Sequence, residues 1–337
     1  MKAAVLKSPY ELHVQDIPKP EPGFGEVLVR IRATAICGTD LGIYQGKHKV
    51  NYPLVLGHET TGEVEKLGEG VTGFKVGDRV ANNPLTYCGM CYKCYRGDVQ
   101  LCEKGGLIGR ESDGSFAEYI ALPKERLFKL PDSISFVDGT NINLLATCLW
   151  GLAKISITPI DSVVVLGQGV SGLIWNQLAR VSGAHPVMGI SRSQWKLDLC
   201  EKTGATAINA KEADPVETVK QATGGKGASV VIEAAGTAET ITQAIEMAAT
   251  GGTILQFGIG PVEVTRYNFS QLYFKEVKIV GTRAMRPLDF LDGIKLIDRG
   301  TIDISFLVTH KFPLAEINDG FALVSKGGKT LRTVIEI

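Results

Sequence analysis

Four cysteines lie within fifteen residues of one another, at a spacing that could hold a metal ion. Two, two and seven residues separate Cys88, Cys91, Cys94 and Cys102. Four thiolates without a histidine form the ligand set of a closed, tetrahedral structural zinc site. Disulfides between them are disfavoured in a reducing compartment. We therefore predict that a structural zinc ion cross-links this glycine-rich loop.

A second group of residues could hold a catalytic metal ion. One segment supplies Cys37, and a later segment supplies His58 and Glu59. Three protein ligands and an open position are what a catalytic zinc ion requires. Each piece also has an ordinary explanation, because a single cysteine is usually a small buried apolar residue and His58 with Glu59 could be a surface pair. The residues alone leave this second site open.

A glycine-rich turn indicates a nucleotide site. The segment Gly167-Gln-Gly169-Val-Ser-Gly172 follows an apolar strand and opens a helix. The first glycine permits a tight turn, the second lets the backbone approach a pyrophosphate, and the third lets the helix pack on the strand. The helix N-terminus attracts the anion. We predict a dinucleotide site that includes Gly167, Gly169, Val170 and Gly172, the alternative being an ordinary glycine-rich turn.

The end of the next predicted strand bears on which dinucleotide is bound. An acidic residue there holds the ribose hydroxyls of NAD, but this chain has Ser191 and Arg192. A guanidinium can form charge-assisted hydrogen bonds to a 2′-phosphate. The sequence therefore favours NADP(H) over NAD(H), unless Arg192 is merely solvated between strand and helix. Phe257, at the end of a later strand, is predicted to lie near the nicotinamide half.

Two kinds of pattern must position these residues. Residues 1 to about 150 show short alternating runs such as 27–32, which predict a β-rich fold. Beyond Pro159, apolar strands alternate with helical patterns, which predicts a parallel, doubly wound sheet. The predicted strands are 163–166, 187–190, 206–208, 229–232, 254–257 and 277–280, and the predicted helices are 170–182, 194–202, 214–222 and 239–249. A helix over 288–298 and β-like runs follow, so the nucleotide domain is predicted to be inserted within the other domain.

Composition excludes several classes of protein. The 337 residues are 44% apolar and 21% charged, which is typical of a globular protein large enough for two domains. Lys plus Arg and Asp plus Glu each number 36, so nucleic acid and membrane are not expected partners. The opening run MKAAVLKSPY is too short for a secretory signal, and no stretch approaches a membrane span. These features predict a cytoplasmic location.

These residues resemble the zinc-containing medium-chain alcohol and polyol dehydrogenases over nearly the whole chain. Gly57-His58-Glu59-x2-Gly62-x5-Gly68 resembles the zinc signature of that family, and Cys37-Gly-Thr39-Asp40 resembles its first-ligand segment in the polyol and threonine branches. The four-cysteine loop and the run Lys329-Thr-Leu-Arg332 also have counterparts there. The resemblance implies a GroES-like catalytic domain over 1–150 and 285–337, a Rossmann domain over 151–284, and an active site in the cleft.

The resemblance also implies roles for individual residues. Cys37, His58 and Glu59 would surround a catalytic zinc ion. Thr39 would hydrogen-bond the substrate hydroxyl and take part in the first step of its proton transfer to solvent. Arg332 would contact the cofactor pyrophosphate. With the four-cysteine site, this gives two zinc ions per chain. The implied reaction is hydride transfer between a nicotinamide and a secondary alcohol, polyol or sugar-type hydroxyl, or the matching ketone. A homodimer or homotetramer is implied as well.

Two positions depart from the family pattern. A further zinc ligand is expected where this chain has Asn143, whose neutral amide is a poorer ligand, and a relay histidine is expected where it has Gly42. Cys148 could substitute as a ligand and His48 as the relay, although packing and surface roles explain both. These departures also allow a nucleotide-binding sensor with a decayed zinc site. A zinc-independent quinone-type reductase is a third hypothesis, which needs neither zinc site.

Overall fold

The structure is a computed structural model that describes residues 1–260, 263–264 and 269–337. The chain forms two compact units, one of residues Met1–Ala146 with Met285–Ile337 and the other of residues Thr147–Ala284. The first unit is rich in strands, and the second is an alternating α/β unit. The predicted fold class is confirmed.

The first unit takes its elements from both ends of its two segments. The first segment forms ten strands and three helices and contains the start of a fourth helix, and the second segment forms two strands and two helices. In chain order the bounds are β1 Lys2–Leu6, β2 Leu12–Asp16, β3 Glu26–Ile36, α1 Gly38–Tyr44, β4 Leu54–Val55, β5 Glu59–Leu67, β6 Arg79–Asn82, β7 Leu85–Thr86, α2 Tyr92–Tyr95, β8 Gly106–Leu107, β9 Tyr119–Pro123, β10 Leu127–Lys129, α3 Phe136–Gly139 and α4 Ile142–Leu152.

The second unit supplies the next eleven elements. They are β11 Val163–Leu166, α5 Val170–Val181, β12 Val187–Ser191, α6 Gln194–Lys202, β13 Thr206–Asn209, α7 Pro215–Ala222, β14 Ala228–Glu233, α8 Ala238–Met247, β15 Ala248–Gln256, α9 Phe269–Lys275 and β16 Lys278–Gly281. The first unit then resumes with α10 Pro287–Asp298, β17 Val308–Pro313, α11 Ile317–Lys326 and β18 Arg332–Glu336.

Strand β3 is the centre of the first unit. It pairs with β5, β9 and β18, all antiparallel, within a seven-stranded sheet. Its alternating run 27–32 predicts one buried face, yet Leu28 is buried as well as Val27, Val29 and Ile31. Leu28 projects from the opposite face to Val27 and Val29, so both faces of β3 are covered here and period-two alternation described this strand only in part.

The six parallel strands of the second unit lie in the order β13-β12-β11-β14-β15-β16. This is the order 3-2-1-4-5-6 of a Rossmann sheet. The four residues of β11 are completely buried, as expected for a central parallel strand covered on both faces by helices. Helix α7 begins where the Asp214 carboxylate accepts hydrogen bonds from the backbone N–H groups of Val216 and Glu217.

One predicted boundary in this unit was wrong. The predicted helix over 239–249 ends at Met247, and the next strand begins at Ala248 instead of Ile254. Gly251 and Gly252 are typical of a turn, yet here they lie inside β15, whose pairing with β14 is irregular.

In the part of the chain that the structure describes, no helix is long and apolar enough to cross a membrane.

Candidate active site

The four clustered cysteines meet at one point of the first unit. The Sγ–Sγ distances are 3.6 Å for Cys91 and Cys94, 3.9 Å for Cys91 and Cys102, and 3.6 Å for Cys88 and Cys102. A disulfide would need about 2 Å, whereas a tetrahedron with zinc–sulfur bonds of about 2.3 Å has edges of about 3.8 Å. The sulfur atoms are therefore spaced as zinc would space them.

The thiol pKa values of Cys91 and Cys94 are shifted in opposite directions. The backbone N–H groups of Glu103 and Cys94 lower the pKa of the Cys91 thiol to about 6. Burial, followed by the neighbouring Cys91, raises the pKa of Cys94 to about 12. Four negative sulfur atoms this close repel one another, so a bound cation is what allows all of them to ionise together.

Asp40 joins the two segments that could hold the second metal ion. Cys37 precedes helix α1, and its backbone N–H donates to Asp40 Oδ2 at 2.9 Å. Asp40 Oδ1 accepts from the backbone N–H of Gly57 at 3.1 Å and lies 3.2 Å from His58 Nδ1. Asp40 is completely buried. This contact leaves His58 Nε2 as the nitrogen available to a metal, a common arrangement for metal-binding histidines.

Cys37, His58 and Glu59 lie close together in the first unit. Their ligand atoms all lie within 4.8 Å of one another. Burial disfavours the charged imidazole, but the Asp40 carboxylate, assisted by Cys37, raises the pKa of His58 well above its usual range. A soft thiolate, an imidazole and a carboxylate this close fit a zinc ion.

The Glu59 carboxylate is held from two sides. Asn143 Nδ2 donates to Glu59 Oε1 at 3.1 Å, and the Arg332 guanidinium pairs with Glu59 Oε2. All three side chains are buried. The Arg332 Nε–H has no acceptor among the residues that the structure describes. Arg332 thus neutralises Glu59 while keeping one donor for another group.

Position 42 is crowded although it has no side chain. A Cβ atom on Gly42 would lie 2.6 Å from His48 Nε2, so the imidazole covers this part of α1. His48 is exposed to solvent, and Thr39 stands one helical turn earlier. Residues three apart share a helix face, so Thr39 and His48 lie on the same side of α1. The hydroxyl group of the half-buried Thr39 makes no hydrogen bond with any described residue.

The glycine-rich turn has the geometry that its sequence predicts. A Cβ on Gly172 would lie 1.9 Å from the Gly167 carbonyl oxygen, and Gly167 has a φ of +93°. Only glycine permits this approach of helix α5 to the turn. A Cβ on Gly169 would meet nothing within 4 Å, so the backbone at the N-terminus of α5 is open to a ligand.

A cavity of about 600 Å³ surrounds this turn. Gly167, Gly169, Ser191 and Arg192 line it, together with Lys196 and Lys211, which the sequence analysis did not identify. Arg192 is 68% exposed, and its Nη1 lies 3.8 Å from Glu239 Oε2. The two lysines carried no sequence signal, because Lys196 lies on α6 and Lys211 follows β13, and the pairing of β12 with β13 brings these elements together.

Phe257 does not line the cavity at the glycine-rich turn. It lines a cavity of about 440 Å³ with Gly258 and Thr282, at the carboxyl ends of β15 and β16. Its ring packs edge-on against Trp175, with the ring centres 5.6 Å apart. A contact of Phe257 with a cofactor would therefore involve its backbone more than its ring. Val170 and Gly172 belong to α5 and do not line either cavity.

Comparison with known proteins agrees with this geometry. The family description "Alcohol dehydrogenase GroES-like domain" matches residues 23–132, and "Zinc-binding dehydrogenase" matches residues 171–299. A sorbitol dehydrogenase of Halalkalibacterium halodurans is 35% identical over 326 residues, covering 96% of this chain and 94% of that protein. The chain belongs to the zinc-containing medium-chain alcohol and polyol dehydrogenases.

Two further relatives match this dehydrogenase over almost the full length of both chains. An L-threonine 3-dehydrogenase of Bacillus licheniformis is 33% identical, covering 96% of each chain. A zinc-binding dehydrogenase from Sinorhizobium meliloti 1021, crystallised with NADP, is 33% identical with a TM-score of 0.94, covering 100% of this chain and 99% of that one. The predicted GroES-like and Rossmann fold is confirmed, and the protein is a zinc-dependent oxidoreductase.

Cys148 is the remaining thiol considered as a metal ligand. It is completely buried, and burial raises the pKa of its thiol well above the usual range. It belongs to neither cluster of metal-binding side chains found in the described residues of this dehydrogenase. The packing interpretation is favoured.

Proposed function

We propose that this dehydrogenase transfers hydride between NADP(H) and a secondary alcohol, polyol or sugar-type hydroxyl, or the matching ketone. The observation that carries the cofactor assignment is the cavity at the glycine-rich turn. Arg192, Lys196 and Lys211 line it, and Ser191 stands where an acid would repel a 2′-phosphate. The relative from S. meliloti, solved with NADP, supports the same choice.

Two zinc ions per chain are part of the proposal. Cys88, Cys91, Cys94 and Cys102 would hold the structural ion, and Cys37, His58 and Glu59 would hold the catalytic one. A zinc ion at the second site would make an alcohol hydroxyl more acidic and polarise a carbonyl group. The buried contact with Asp40 orients His58 for this role.

Asn143 contributes to the second site through Glu59. Its Nδ2 group fixes Glu59 Oε1 at 3.1 Å, while Arg332 restrains the other oxygen. An amide that donates to a carboxylate ligand supports that ligand without replacing it. The open Nε–H of Arg332 is available to the cofactor pyrophosphate. In this proposal Glu59 supplies the third ligand and Asn143 orients it.

Thr39 and His48 form the proposed route for the proton. Thr39 would accept the proton of the substrate hydroxyl while it donates its own hydroxyl proton toward His48, along the side of α1 that it shares with Gly42. The His48 imidazole lies one turn further on, over Gly42, and contacts solvent. Imidazole is well suited to carry protons near neutral pH. His48 thus fills the space that a side chain at position 42 would occupy.

Polyols are the favoured class of substrate. The segment Cys37-Gly-Thr39-Asp40 resembles the polyol and threonine branches, and relatives in these comparisons are named sorbitol and L-threonine 3-dehydrogenases. Both substrates carry a secondary hydroxyl next to polar groups. A panel of such alcohols and their ketones is therefore the first to assay.

The deciding experiment measures zinc, cofactor and turnover on one preparation. Elemental analysis of protein purified without chelator should give two zinc ions per chain, falling to one in Cys37→Ser. Fluorescence titration should show tighter binding of NADPH than of NADH, and the alcohol panel should then show NADP-dependent turnover. One zinc ion that Cys37→Ser leaves in place would contradict the catalytic site, and tighter binding of NADH would contradict the cofactor assignment.

Assembly and location are also proposals. We propose a homodimer or homotetramer in the cytoplasm, following the family resemblance and the reduced cysteines that both zinc sites need. Light scattering of the purified protein tests the assembly, and a monomeric mass would contradict it.

A further inference from the structure

A completely buried carboxylate stands at the end of β14. Glu233 Oε1 accepts hydrogen bonds from the backbone N–H groups of Ala235, at 3.0 Å, and Gly236, at 2.8 Å, and from the Thr240 hydroxyl, at 2.7 Å. Its Oε2 accepts from Gln256 Nε2 at 2.8 Å. A buried carboxylate is tolerated only when its oxygens are well hydrogen-bonded, and here both oxygens are. Glu233 therefore fixes the loop that follows its own strand.

Glu233 also fixes the loop after the neighbouring strand β15. Gln256 Nε2 donates both to Glu233 Oε2 and to the Gly258 carbonyl, the latter at 3.0 Å. The Glu233 carbonyl accepts from the backbone N–H groups of Phe257, at 2.9 Å, and Gly258, at 2.7 Å. One residue thus holds loop 234–237 and loop 257–260 in a single arrangement.

The two loops are packed without spare room. A Cβ on Gly258 would lie 2.4 Å from the backbone nitrogen of Gly236 and 2.7 Å from Glu233 Oε2. Ala235 and Thr240 line the cavity around the glycine-rich turn, whereas Gln256 and Gly258 line the cavity at the ends of β15 and β16. The partners of Glu233 therefore border both cavities, at the edge of the sheet where doubly wound folds bind ligands.

We infer that Glu233 is a positioning residue for the nicotinamide half of the cofactor, acting through Gln256 and the Gly258 backbone. This inference rests on the proposed dinucleotide function. In the proposed function the adenosine half lies at the glycine-rich turn and Arg192, neither of which is a hydrogen-bond partner of the Glu233 carboxylate. The Glu233 carboxylate is fully engaged by protein donors, so its influence on the cofactor passes through the loop that it holds.

The substitution Glu233→Gln is expected to remove one hydrogen bond to the Gly258 carbonyl group. The three donors on Oε1 hold the oxygen of the new amide in place, so its NH2 group faces the NH2 group of Gln256. Gln256 must then rotate its amide and lose the hydrogen bond to the Gly258 carbonyl. We expect NADPH to bind about five- to tenfold more weakly, the effect of one lost hydrogen bond. Binding of 2′,5′-ADP, which has no nicotinamide, should stay within about twofold.

Calorimetric titration of both ligands measures the two affinities, and NADPH fluorescence gives an independent readout. The fluorescence of the bound nicotinamide depends on its surroundings, so its intensity should change in Glu233→Gln. Gln256→Met removes the same link without altering the buried carboxylate, and it serves as the test if Glu233→Gln does not fold. Gln221→Met, on the exposed side of α7, is the matched control and should leave both affinities unchanged.

The outcomes separate this inference from the proposed function. A selective loss of NADPH affinity supports the role of Glu233. An equal loss of NADPH and 2′,5′-ADP, or unchanged NADPH binding in both variants, overturns it. If the unmodified protein prefers NADH, the NADP proposal fails, and the same comparison made with NADH and ADP still decides the role of Glu233. If it binds no dinucleotide, the proposed function and this inference both fail.

Discussion

Arg192→Ala is expected to weaken NADPH binding about tenfold and to change NADH binding by less than about twofold. A charge-assisted hydrogen bond to a phosphate contributes about 1.5–3 kcal/mol. Arg192 is 68% exposed and faces Glu239 at 3.8 Å, so solvent and the carboxylate both reduce its effect. The lower end, about 1.5 kcal/mol, corresponds to about tenfold in the dissociation constant.

Fluorescence titration with NADPH and NADH at two salt concentrations tests this value. The difference between the two cofactors should narrow at high salt, because an exposed charge pair is screened. Glu239→Gln is the matched variant, since it removes the competing carboxylate and leaves the cavity shape. It should strengthen NADPH binding about two- to threefold, in line with the small contribution of an exposed ion pair.

An equal loss of affinity for both cofactors would refute the reasoning, because it would mean that Arg192 shapes the cavity without contacting the 2′-phosphate. Unchanged NADPH affinity would refute it as well. In that case Lys196 and Lys211, on the same cavity, would be the next residues to test.

Five further substitutions test the two metal sites and the proton route. Cys37→Ser should abolish turnover and remove one zinc ion while leaving NADPH affinity within about twofold; retained turnover would exclude zinc chemistry here. Cys94→Ser should remove the other zinc ion and lower the melting temperature by about 5 °C or more, and unaltered melting would argue against a structural metal. Asn143→Ala should weaken zinc binding at the catalytic site about tenfold, measured by competition with a chelator, and an unchanged affinity would show that Glu59 needs no such support. His48→Ala should lower kcat about tenfold, with recovery in imidazole buffer, and Gly42→Ala should act similarly because its Cβ displaces the ring; normal kcat in both variants would rule out this route.

Local patterns predicted the second unit well. All six described strands overlap predicted apolar runs, and helices α5 to α8 overlap predicted helices, whereas α9 was not predicted. The grouping of the four cysteines could also be predicted, because zinc ligands on one loop lie close together in sequence. The boundary at Ala248 was missed because two glycines inside a strand look like a turn.

The contacts within the candidate site were much harder to predict. Glu59 and Arg332 are 273 positions apart, and no periodicity links them. The family resemblance implied a cofactor role for Arg332, and its pairing with Glu59 was not predicted. Similarly, Asp40 was only part of a segment until the structure showed it holding Cys37 and His58 together. Glu233 carried no signal, because a strand-ending glutamate is unremarkable until its four hydrogen-bond donors are known.

The pairing of β3 with β18 has a consequence for the order of events during synthesis. Residues 147–284 form a contiguous unit that can fold as soon as they have left the ribosome. Strand β3 meanwhile lacks a partner that is translated almost 300 residues later, and such non-local pairing slows folding. The thiol of Cys37, which directly follows β3, therefore stays accessible to oxidants and to free metal ions until β18 has been made. Cys37, His58 and Glu59 are thus made early, whereas Arg332, which pairs with Glu59, is made almost last.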